Sequence, residues 1–172
     1  MEGTVNFNGA LVLHLQYHRW ATELVLEETT PLPSEQLLQN LKGSFPSIYE
    51  TVVHLYQSDR VWLDRLKERP SGTLADYEAP GCMYELKDAW LPIHDEMTSV
   101  VQNLPEDRLS EVIAYKNIAG QPFSAPLWQM VLHVVNHGTY HRGQITNMLR
   151  QIGMKPTNLD LIRYYRTELG QV

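Results

Sequence analysis

Apolar residues recur at spacings of three and four along most of this chain, the period of amphipathic helices. Four long segments carry the pattern. The first spans about residues 7–29 and ends before Pro31 and Pro33, because proline removes a helix donor and restricts the residue before it. The second runs from about Ser47 to Lys67 and stops at Pro70. The third runs from about Tyr84 to Asn103, stops before Pro105, and contains Pro92, which predicts a kink or a later true start. The fourth begins near Pro126, with Ser124 as the cap and Pro126 in the first turn. It ends at Gly153, with Pro156 following. A short fifth helix over residues 158–168 closes the chain.

Between the third and fourth segments, Val112 to Ile118 alternates loosely, and Ala119-Gly120-Gln121 can turn a short hairpin. Arg69 to Cys82 is rich in turn residues and reads as irregular. Helices of ~20–27 residues are ~30–40 Å long at 1.5 Å per residue, and helices of matched length in one domain form a bundle. The expected fold is all-α: one domain over residues 1–172, a four-helix bundle with a short β-hairpin before the fourth long helix and a short C-terminal helix.

The fourth segment breaks its own pattern. Leu127, Met130 and Val134, then Ile145, Met148 and Ile152, make an apolar stripe, and His137 and His141 fill its middle. Residues four apart lie ~6 Å apart along a helix and ~40° apart around it, which suits two ligands on one ion. His133 shares a more polar flank with Gln129, Asn136, Tyr140 and Gln144, and reads as peripheral. A third ligand can come from His54, which stands among Val53, Leu55 and Val61 on the second segment. Taken alone, a buried histidine is more commonly a hydrogen-bonded core residue. The first segment offers another pair, His14 and His18, and His18 lies on the stripe Leu11, Leu15, Thr22 and Val25. His94 has no obvious partner. Three protein ligands would leave a position open for water or substrate, the arrangement of catalytic sites.

Composition narrows the chemistry. Seven His and one Cys among 172 residues leave any metal site to imidazoles and carboxylates, and a single Cys closes no internal disulfide. A net charge of −6 speaks against nucleic acid as a partner, since such binding runs on Lys and Arg contacts, and against anionic membranes. The apolar run Ala10 to Leu13 is too short for a signal peptide, and no run approaches the ~18 apolar residues of a membrane span. A cytoplasmic protein is expected.

The string NHGTYHRGQITNMLRQIG resembles the signature of the DinB-like (DinB/YfiT) superfamily, in which a His-x-x-x-His-Arg-Gly-Gln segment supplies two metal ligands. TVVHLYQSDRVWLDRL is similar to the segment carrying the family's third ligand, YHRWATELVL to its aromatic-rich first helix, and NLDLIRYYR to its closing element. The resemblance implies a four-helix bundle, a divalent metal, usually zinc or nickel, held by His54, His137 and His141, and a homodimer. Many relatives have Asn where this chain has His18, so His18 is a candidate fourth ligand, general base or substrate contact.

Relatives include thiol-dependent S-transferases, a maleylpyruvate isomerase and metal hydrolases. The resemblance therefore implies an enzyme that activates a low-molecular-weight thiol toward a small electrophile. A hydrolase and a non-enzymatic metal-binding stress-response dimer are the alternatives. Arg142, Arg163 and Arg166 are candidate clamps for carboxylate or phosphate, because the guanidinium fork fits both. Gly143 reads as a helix-packing glycine. A second first-helix stripe, Leu13, Tyr17, Trp20 and Leu24, exceeds what one core face needs and favours a dimer.

Overall fold

The computed structural model describes residues 6–117 and 119–170. Ile118, at the end of the loosely alternating segment, and residues 1–5 lie outside them. Four long helices form the body: α1 (Phe7–Thr29), α3 (Ile48–Leu66), α4 (Met83–Gln102) and α5 (Leu127–Gln151). A short α2 (Ser34–Leu38) precedes α3, and α6 (Leu161–Glu168) follows α5. Strands β1 (Val112–Lys116) and β2 (Pro122–Pro126) pair antiparallel immediately before α5. Helix α1 packs on α4 and α5, and α3 packs on the same two, so α1 and α3 stand at opposite corners of the bundle.

Local chemistry sets the ends. Asn6 caps α1 by accepting the Gly9 N–H, and Ser47 caps α3 by accepting the Glu50 N–H, each satisfying a donor that the helix cannot. The hairpin turns at Gly120, whose φ of 75° favours glycine, while Asn117 Oδ1 accepts the N–H groups of Ala119 and Gln121. Among the described residues no helix is long and apolar enough to cross a membrane.

Several expectations need correction. Ser124 does not cap α5: it lies in β2, and Pro126 itself is the extended residue before Leu127. The alternating segment therefore continues to the helix, leaving no room for a separate cap. Pro92 does not delay α4, which begins at Met83 and continues through it. The proline is exposed, so the carbonyl one turn back can turn to water rather than lose a partner in the core. Helix α2 was not expected, because one helical turn carries almost no periodic signal. Tyr17 and Trp20, half of the stripe read as a contact for a second copy, lie against Tyr164 of α6, with ring centroids 5.9 and 5.4 Å away.

Candidate metal centre

The apolar stripes deliver three imidazoles to one place. His54 on α3 faces His137 and His141 on α5, with His54 Nε2 3.2 Å from His137 Nε2. One ring nitrogen from each of the three lies within 4.8 Å of the others. Two ligands on a tetrahedral ion with metal–nitrogen bonds of ~2.0–2.1 Å stand ~3.3 Å apart, so the donor set fits a small divalent cation. His141 Nδ1 is 3.0 Å from Gln144 Oε1, an acceptor, so Nδ1 carries the proton and the Nε2 lone pair is left free. Gln144 is held in turn by its Nε2 donating to Ser44 Oγ. Phe45, from the loop before α3, stacks on His54 at 4.3 Å and leans on His141 at 5.7 Å. His133 stays peripheral and exposed, stacked on His137 and touching Trp62.

The imidazoles are poised to be neutral. Burial, followed by the charge of His141, lowers the His54 pKa from 6.5 to about 4. Burial, followed by the charges of His141 and His54, lowers His137 from 6.5 to about 4. Burial lowers His141 too, against the hydrogen bond to Gln144. Neutral imidazole is the metal-binding form.

A second group lies behind the first. His18 on α1, Asp59 on α3 and His94 on α4 meet in the bundle interior, at most 1% exposed, and this His-Asp-His group could also hold a cation. His94 therefore has a partner after all: its Nε2 donates to Asp59 Oδ2 at 2.8 Å. The same oxygen accepts Trp90 Nε1–H at 2.8 Å and His18 Nε2–H at 3.2 Å. Burial raises the Asp59 carboxyl, but the charges and hydrogen bonds of His18 and His94 outweigh it, holding the group well below the usual carboxylate range.

His18 has a defined tautomer. Arg142 Nη1 lies 2.8 Å from His18 Nδ1, and a guanidinium only donates, so Nδ1 must accept and the proton sits on Nε2, aimed at Asp59. Both nitrogens are thus engaged away from the three-histidine cluster, where the fourth-ligand reading would need one. Arg142, 1% exposed, also donates to Thr22 and Thr139. Arg163 lies over Trp20, and Arg166 is exposed on α6. Cys82 is exposed at the start of α4.

The packing glycine is Gly138, not Gly143. A Cβ on Gly143 would meet nothing within 4 Å, whereas one on Gly138 would overlap the His18 ring and stand 2.6 Å from Arg142 Nη1. Helix α1 can bring His18 beneath α5 only because position 138 has no side chain. Gly138→Ala is expected to cost about 1–3 kcal/mol by overpacking. Gly143→Ala is expected to be neutral or stabilising by up to ~1 kcal/mol, since it gains helix propensity in open space. Urea titration of both checks this, and equal stability would refute it.

The buried His18 also sets an acid limit. Burial is the largest influence on it and lowers its pKa from 6.5 to about 4 in spite of Asp59. Between those values the unfolded chain binds a proton that the folded one refuses, so stability is intact above pH 6.5 and falls as pH drops toward 4. His18 alone is expected to remove about 3 kcal/mol over that window. Denaturation midpoints at pH 7, 5.5 and 4 measure it, and a flat profile would contradict the buried neutral assignment.

The sequence pattern of the DinB family matches residues 2–171. Protein DinB of Bacillus subtilis is 28% identical over 145 residues, covering 80% of this chain and 83% of that protein. The uncharacterized protein YizA of the same species is 22% identical over 133 residues, covering 76% of this chain and 80% of that protein. A crystal structure of a DinB-like protein from Bacillus cereus shares the fold with a TM-score of 0.63 at 21% identity, over 83% of this chain and 91% of that one. That of the DinB-like protein YjoA from Bacillus subtilis does so with a TM-score of 0.64 at 16% identity, over 88% and 98%. With the pattern running through nearly every residue and the bundle shared with DinB-like structures, this chain belongs to the DinB family.

Proposed function

We propose that this protein is a metal-dependent enzyme of the thiol S-transferase type, with zinc or nickel held by His54, His137 and His141. The observation that supports an enzyme is the ligand count: three imidazoles converge, and His18, the candidate for a fourth, is turned to Asp59 and Arg142. Closed structural zinc sites use four protein ligands, whereas three leave a position for a reactant. A divalent ion there supplies a Lewis acid that lowers the pKa of a bound thiol or water.

The chain's own residues do the rest. Gln144 fixes the His141 tautomer, and Phe45 shields the His54 and His141 rings from water on one side. The buried Asp59 carboxylate is close enough for its charge to favour positive charge at both His54 and His137. It opposes the cost of burying a divalent cation beside neutral rings. In this reading His18 and Arg142 position Asp59 and do not touch substrate. The substrates are a low-molecular-weight thiol and a small electrophile, and the working form is a cytoplasmic homodimer.

The test is consumption of small thiols with a panel of haloarenes and epoxides by protein loaded with zinc or nickel. Acceleration that disappears in His54→Ala is expected. No acceleration with any pair would overturn the transferase reading. Turnover of ester or amide substrates without thiol would replace it by hydrolysis.

A further inference from the structure

A cleft of about 970 Å³ opens on the side of α5 away from the three histidines, between α1, α5 and the segment leading into α6. Its wall on α5 follows Val135, Thr139, Arg142, Thr146 and Arg150, a different stripe from that of His137 and His141.

Its charge is unusual for this molecule. The chain carries a net −6, yet the lining holds Arg142 and Arg150 against one carboxylate, Asp160. Arg142 is the informative residue. It is 1% exposed, and among the described residues no carboxylate pairs with it. Its hydrogen-bond partners His18, Thr22 and Thr139 are neutral, the buried Asp59 carboxylate meets His18 rather than Arg142 itself, and its Nε–H is buried without an acceptor. A buried cation with a spare donor costs free energy unless an anion completes it. Arg150 lies about 12 Å further along the same helix face, and its side chain is exposed at the other end of the cleft. Between the two cations the wall is apolar, with Leu132, Val135 and Leu159.

We propose that this cleft is a second, metal-independent binding site for an elongated organic anion, its carboxylate or phosphate head drawn to the guanidinium groups and its apolar body laid along α5. The volume is at the upper end of small-molecule sites. An anionic head beside Arg142 would supply the counter-charge that no carboxylate gives it at ion-pair distance among the described residues. The site rests on α1, α5 and the 152–161 segment, and it stands or falls apart from the transferase reading.

The test uses the full chain in metal-free and metal-loaded form. Binding of 8-anilinonaphthalene-1-sulfonate is followed by fluorescence, with uncharged N-phenyl-1-naphthylamine as the control and dodecanoate and dodecyl phosphate as competitors. One saturable anion site is expected, unchanged by metal, with the uncharged dye bound at least ~10-fold more weakly. The competitor that displaces the dye at lower concentration identifies the head group. Arg150→Gln removes an exposed charge and Thr146→Trp fills the cleft; each is expected to weaken binding at least ~10-fold without unfolding the chain. Equal affinity for both dyes, anion binding that neither variant weakens, or no binding at all would overturn the proposal. Loss of dye binding on self-association would also overturn it, by showing the cleft to be a surface between copies.

Discussion

Purified without chelator, a His137→Ala chain is expected to retain less than a tenth of the divalent metal carried by the wild type. His137 is the middle of the three: its Nε2 stands 3.2 Å from His54 Nε2, and its ring centroid is 4.6 Å from that of His141. Losing even a neighbour that orients a ligand costs ~10–100-fold in metal affinity, and losing the ligand itself costs more. Folding should survive, because the half-buried ring gives way to a side chain with good helix propensity and no polar group to satisfy. His133→Ala is the matched control, since His133 only stacks on His137 from the exposed side. Elemental analysis of the three proteins decides the matter, and equal metal content in wild type and His137→Ala would end the assignment.

The largest effect on stability is expected at Asp59. Three N–H groups, from His18, His94 and Trp90, converge on its Oδ2, and all four side chains are almost fully enclosed. Asp59→Ala would strand those donors and leave the Arg142 charge without its nearest buried counter-charge. Breaking a buried charged network by removing one member typically costs about 3–5 kcal/mol. Asp59→Asn keeps the shape and one acceptor oxygen and should cost less. Equilibrium urea denaturation provides the comparison. A loss under ~1 kcal/mol for Asp59→Ala would mean that the network contributes shape but little free energy. Metal affinity of the Asn variant reads the second role of this carboxylate, the bias toward positive charge at His54 and His137.

Much of this was legible in advance, for physical reasons that differ from place to place. The long helices were legible to within a few residues because prolines and stripes bound them independently. The three-histidine cluster was legible because a polar residue on a buried stripe must find a partner. The same rule, applied to Asp59, would have found the second group. Val52, Leu55, Asp59, Trp62 and Leu66 form the buried face of α3, and a carboxylate in that row demands donors. His94 carries the same signal among Trp90, Met97 and Val101 on α4.

Other features had no such signature. Gln144 matters only through the rotamer of His141. Gly138 and Gly143 look alike in the string HGTYHRG, and only the approach of α1 separates them. The cleft owes its floor to the segment after Gly153, whose path no periodicity describes.

The three-histidine cluster has a consequence for biosynthesis. His54 precedes His137 by 83 positions, so its partners do not exist when it is made. At ~5–20 residues per second, roughly 4–17 s separate the two on the ribosome. During that interval a lone imidazole has little hold on a metal ion. Three-ligand uptake of an ion would need α5 to be made and docked against α3 first. Metal supplied early, or to a chain stalled before His137, would find no complete site, and a protein loaded through all three histidines would be one whose synthesis has passed His141.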